Sequence, residues 1–165
     1  MPNFDYLKKY IDNVEERRNR FHPLSLQEIE TVEKRLGYKF PSQLCTFYKE
    51  IGYGTFQNNS DLSVTDNTFA NRLLDPESAA DIKLLGYDSG QILPSVKFAE
   101  DELPIFEIAD GANFFVMKPQ GDNPNAVYQF MEGGLIEDSF EKFIWRLYYE
   151  SPLYYMKDWG KEAAD

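Results

Sequence analysis

The stretch from Pro23 to Phe56 constrains this chain more than any other, because it carries its own start and stop signals. Ser25 and Glu28 have the S-x-x-E spacing of a capping box, in which each side chain satisfies a backbone N–H orphaned by the helix start. Leu24 before the cap and Ile29 inside it match a hydrophobic staple. Ile29, Val32 and Leu36 then share one helical face, while Glu28, Glu30, Lys34 and Arg35 point elsewhere. Gly37 stands where a left-handed residue ends the helix. Pro41 supplies a preset φ for a second helix, whose buried face is Leu44, Phe47, Tyr48 and Ile51 and whose stop is Gly52 and Gly54. This stretch is scaffold.

The same residues carry a family resemblance. Glu33, Leu36-Gly37, Phe40-Pro41 after a short gap, then Leu44, Phe47, Gly52 and Gly54 resemble the SUKH superfamily, the Smi/Knr-type proteins. The family usually has Leu-Pro where this chain has Phe40-Pro41, and Asn-Gly-Gly around Gly52 and Gly54. A Ser-Phe-Glu-x-Phe helix start from Ser139 also fits, so the resemblance spans about 24–148. Many members are thought to be immunity proteins that neutralise polymorphic bacterial toxins, often nucleases. The resemblance therefore implies a toxin-binding role. A second implication is a regulatory protein-binding module tied to cell-wall signalling.

Along the rest of the chain, Asn3 to about Arg20 reads as an amphipathic helix with Phe4, Leu7, Tyr10, Ile11 and Val14 on one face. His22 and Pro23 link it to the opening stretch. Thr55-Phe56 and Leu62-Ser63-Val64 suggest short strands. Asp75-Pro76-Glu77 is a helix start with Asp75 as cap, and the helix should run to about Leu84. Glu77 and Asp81 would share an exposed face of it with no nearby cation. The segment from Leu103 to Ile108, a turn at Asp110-Gly111, and the return from Phe114 to Met117 form a hairpin. Strands at 126–130 and 135–136 follow, then a helix behind an Asp138-x-x-Glu141 cap, with Phe140, Phe143, Ile144, Leu147 and Tyr148 as its apolar stripe. The aromatic tail 152–165 should pack back on the domain or a partner, with its last residues frayed. Helices at both ends with strands between them predict α+β: one domain over 1–165, a largely antiparallel sheet flanked by N-terminal and C-terminal helices.

At 165 residues, one core can bury roughly 70% of the surface the unfolded chain exposes. A single cysteine allows no internal disulfide, which suggests a reducing compartment. With no apolar run for a signal or a membrane span, the expected location is the cytoplasm. Charge is lopsided. Residues 1–40 hold eight Lys/Arg and seven Asp/Glu, a net of +1, whereas 41–165 hold nine and twenty-one, a net of −12. Such a chain is repelled by nucleic acid and anionic membrane and drawn to a basic protein.

Catalytic chemistry is sparse. His22 and Cys45 are the one histidine and the one cysteine, too few for a zinc site, and Cys45 sits mid-helix, away from an N-terminus that would activate it. Neither a Gly-rich phosphate loop nor a calcium loop appears. No enzyme, cofactor or metal is expected. The candidate binding residues are acidic: Asp61 and Asp66; Asp75, Glu77 and Asp81; Glu100, Asp101 and Glu102. Tyr53 is the candidate aromatic anchor, with Tyr87 and Tyr128 as further choices. The expected partner is a cognate toxin domain, plausibly a cationic nuclease, and the expected state a monomer or weak homodimer.

Overall fold

A computed structural model describes residues 1–15, 19–56, 71–86, 97–108, 113–130, 133–150 and 154–157. Seven strands form one antiparallel sheet in chain order: β1 (Arg20–His22), β2 (Tyr53–Thr55), β3 (Arg72–Leu73), β4 (Leu103–Ile108), β5 (Asn113–Met117), β6 (Val127–Gln129) and β7 (Leu135–Glu137). Among the described residues four α-helices accompany it: α1 (Leu26–Leu36), α2 (Ser42–Glu50), α3 (Pro76–Leu85) and α4 (Phe140–Tyr149). The expected α+β class with an antiparallel sheet is what the chain adopts.

The sheet is two-faced because strand side chains alternate. Phe21, Gly54, Leu73, Phe106 and Phe115 lie in register across five strands on one face. Helices α2 and α4 lay Phe47 and Phe143 on that row, and Phe140 packs on both at 5.8 and 6.2 Å. Phe143 meets Phe106 and Phe115 edge-on at 5.5 and 5.6 Å, and Phe47 meets Phe21 at 5.8 Å. Edge-to-face pairs set the positive ring edge against the negative ring face, so an aromatic core of this kind gains specific geometry as well as burial. The other face carries the row Arg20, Thr55, Arg72, Glu107 and Phe114.

The opening stretch folds as its signals require. Ser25 and Glu28 form both bonds of the capping box, Gly37 is left-handed at φ 86°, and Leu44, Phe47, Tyr48 and Ile51 are buried. Gly52 is required twice over. Its φ is 107°, and a Cβ there would overlap the backbone carbonyl of His22 in β1. Between α1 and α2, Glu33 is buried, and its Oε2 accepts the Phe40 N–H at 2.8 Å. Glu33 thus holds the turn rather than facing water.

Two expectations fail here. The N-terminal segment is not one helix to Arg20. A short 3-10 helix spans Asp5–Tyr10, Asp12 takes φ 50°, and the chain returns as β1. The Asp12 N–H bonds to Phe21 O at 2.8 Å, and Phe21 is wholly buried against Phe47 and Phe56. Covering the open edge of β2 and burying Phe21 outweigh local helical periodicity. Val14, assigned to the apolar face, is exposed. At α4 the cap is Ser139, not Asp138: Ser139 Oγ accepts from Lys142 N and donates to Gln43 Oε1 at 3.1 Å. Gln43 Oε1 also accepts the Glu141 N–H at 2.9 Å, so α2 itself satisfies the α4 N-terminus. The proposed strand at 62–64 and the proposed turn at Asp110-Gly111 lie outside the described residues.

The C-terminal segment packs back as expected where it is described. Tyr154 and Tyr155 are buried, and Tyr155 stands edge-on to Phe115 at 4.7 Å. Tyr154 is anchored by Glu137, a buried carboxylate that accepts from Tyr154 Oη at 3.1 Å and from Arg146 Nη1 at 2.6 Å.

Candidate functional site

The acidic residues sort into two adjoining clusters built on α3 and on the segment entering β4. Asp75 caps α3, with its Oδ2 accepting the Ser78 N–H at 3.1 Å; the cap, Pro76 and Glu77 therefore start the helix as the sequence specifies. Glu77 is exposed and has no hydrogen-bond or ion-pair partner among the described residues. Asp81 is different. Arg35 of α1 reaches it at 2.5 Å, so the expectation of an acidic face without a nearby cation is wrong for this residue. The cause is tertiary: α1 packs along α3 and turns the exposed end of its own polar face toward it.

The second cluster is tied to the first through Lys83. Its ammonium donates to the Ala99 carbonyl and, at 3.0 Å, to the Glu100 carbonyl. Burial pushes the Lys83 pKa down, against the opposing pull of Glu102, Asp101 and Glu100. Glu102 closes its own turn, accepting the Ala99 N–H through Oε1 at 2.8 Å. Glu100 and Asp101 are exposed, with Lys118 Nζ 3.9 Å from Asp101. Asp61, Asp66 and Tyr87 lie outside the described residues. Tyr53 is on β2 at the β1 end of the sheet, where its ring neighbours His22 at 5.4 Å. Tyr128 is half-buried under Lys118, 4.6 Å from its ring centre.

Elsewhere, the described groups favour structure over reaction. Cys45 is half-buried in α2 and burial raises its thiol pKa, which holds it in the less reactive protonated form. His22 Nδ1 lies 3.8 Å from Asp12 Oδ1. Among the described residues no three His, Cys, Asp or Glu side chains converge to hold a metal ion, and no helix is long and apolar enough to cross a membrane.

One surface went unread in the sequence. Trp145 and Tyr149 project from α4 at 46% and 53% exposure, their rings 5.0 Å apart, and Tyr6 packs on Tyr149 at 5.3 Å. Their spacing, i and i+4 on a helix whose apolar stripe is complete without Trp145, was the available signal.

Fold and surface together define an acidic α+β domain with a meandering antiparallel sheet. The chain belongs to the SUKH_6 family, described as SMI1-KNR4 cell-wall, whose profile matches residues 26–144. That match bears out the resemblance carried by Leu36-Gly37, Phe40-Pro41 and the glycines Gly52 and Gly54. The chain is also 35% identical over 118 residues to Immunity protein YxxD of Bacillus subtilis (strain 168), an alignment covering 69% of this chain and 74% of that protein.

Proposed function

We propose that this chain is an immunity protein that binds and neutralises a cognate polymorphic toxin. The observation carrying the reading is the 35% identity over 118 residues to Immunity protein YxxD. A cationic nuclease is the target class that the net charge of −11 suits best. Asp75, Glu77, Glu100, Asp101 and Glu102 supply the acidic face, extended in sequence by Asp61 and Asp66, with Tyr53 as an aromatic anchor. Asp81 is paired to Arg35 and adds little net charge to that face. The chain acts by occupying the toxin's substrate groove, without catalysis, in the cytoplasm, as a monomer or weak homodimer. An interface of about 1,600 Å² is expected.

The test is neutralisation. Where a toxin gene adjoins this one, cells expressing its toxin domain should survive when the chain is co-expressed, and the two should co-purify. Continued killing with both proteins folded and present overturns the reading. The family description, SMI1-KNR4 cell-wall, favours a second reading, a constitutive regulatory binding module. In that case a native partner is retained in unchallenged cells and no toxin gene adjoins.

A further inference from the structure

A concavity lies on the acidic face, and its lining is more selective than its charge. A groove of about 340 Å³ runs between α1 and the start of α3. Leu24, Val32 and Pro76 give it apolar surface, and Glu28, Asp75 and Glu77 place carboxylates around that surface. Two of these carboxylates are held in place by the helix starts. Glu28 Oε2 accepts the Ser25 N–H at 2.8 Å, and Asp75 Oδ2 accepts the Ser78 N–H at 3.1 Å. Each is thereby oriented before any partner arrives, with its second oxygen left over. Glu77 has no partner of its own among the described residues.

The local charge decides what such a groove admits. Three carboxylates line it, the one lining cation, Arg35, is already paired with Asp81, and the N-termini of α1 and α3 add about half a positive charge each. The balance is negative by about two charges. An anion is therefore disfavoured despite the two helix starts. A long side chain with an apolar stem and a cationic head fits both parts of the lining, because such chains bury their methylenes along apolar surface and keep the head on carboxylates. Arg35 already makes that contact from within the molecule, placing its guanidinium 2.5 Å from Asp81 beside the groove.

We propose that this groove receives a basic side chain, arginine foremost, from the protein partner. Its stem lies over Leu24, Val32 and Pro76, and its head sits among Glu28, Asp75 and Glu77. Planar, forked donors match carboxylate oxygens two at a time, which favours arginine over lysine. The identity of the partner as a toxin rests on the preceding reading; the chemistry of the groove does not.

The experiment is a ¹H–¹⁵N NMR titration of the full chain with N-acetyl-arginine methylamide, and in parallel with its uncharged citrulline isostere. Arginine should shift the amides of Gln27, Thr31, Arg35 and Glu77 selectively, and citrulline should leave them in place. Glu77→Gln, at an exposed position without a partner among the described residues, should weaken arginine binding by about two- to fivefold. Thr31→Arg, which sets a resident guanidinium over the groove, should abolish the selective shifts. Equal shifts with citrulline, or shifts spread evenly over Glu100–Glu102 and the groove, overturn the proposal. Its failure is separable from that of the immunity reading. A flat titration with cells still protected removes the groove alone, whereas groove-centred shifts without protection remove immunity alone.

Discussion

Removing Arg146 should unmask the cost of the buried Glu137 carboxylate. Glu137 is 5% exposed, and its oxygens face Arg146 Nη1 at 2.6 Å, Tyr154 Oη at 3.1 Å and Lys142 Nζ at 3.6 Å. Arg146 is 29% exposed, also bonds Glu150 through Nε at 2.9 Å, and lies 4.1 Å over the Tyr154 ring. In Arg146→Met the stem still packs, but the carboxylate keeps only a hydroxyl and a largely solvated ammonium. Breaking one partner of a buried pair costs about 3–5 kcal/mol. The two remaining donors place this case at the lower end, about 3 kcal/mol. Glu137→Gln keeps the shape and loses the charge, for about 1–2 kcal/mol. Because the double variant leaves no unpaired charge, it should cost about 2 kcal/mol less than the sum of the singles. Urea denaturation reads each difference, and the Arg146→Met penalty corresponds to a Tm drop of about 6–12 °C. Strict additivity, or an Arg146→Met cost below about 1 kcal/mol, would refute the claim that Glu137 is the anchor of the C-terminal turn.

Other perturbations follow from the same geometry. Gly52→Ala meets both an unfavourable φ and the His22 carbonyl, so it should cost about 3 kcal/mol or more and detach β1; wild-type hydrogen-exchange protection at Phe21 and Tyr53 in that variant would contradict it. Stability should fall as pH rises past about 10, the ordinary tyrosine value. Burial pushes Tyr155 up to about 12 and raises Tyr6, Tyr48 and Tyr154 as well, the last with help from the Glu137 charge. Their folded-state pKa values lie above the unfolded ones, so the native state holds more protons. Their contribution is complete below pH about 10 and is lost through the folded values above it, by at most about 1.4 kcal/mol per pH unit for each tyrosine. Tyrosinate absorbance that rises fully before unfolding in a pH titration would rule this out. Association with the toxin domain should slow steeply with added salt if the acidic face steers the encounter, and a salt-independent on-rate in stopped flow would remove steering from the mechanism.

Local signals were sufficient wherever the determining interaction spans a few residues. The Ser25–Glu28 capping box, the Asp75-Pro76 start and the left-handed Gly37 involve partners no more than a turn away, so their spacing specified them. Periodicity likewise separated the buried faces of α1, α2 and α4, and the β4–β5 pairing was legible in its two apolar runs. The family was legible for a related reason: Gly37, Gly52 and Pro41 answer backbone constraints that leave few alternative residues. What the tertiary structure decided involves partners distant in sequence. Phe21 is drawn into β1 by a sheet edge formed at Tyr53–Thr55. Gln43 serves the N-terminus of a helix almost a hundred residues later, |i−j| being 98. Arg35 neutralises Asp81, and Lys83 holds the Glu100 turn, because packed elements place them within reach. A one-dimensional pattern records which face a residue turns inward. It does not record which charge meets it there, because that distance exists only once the helices have packed.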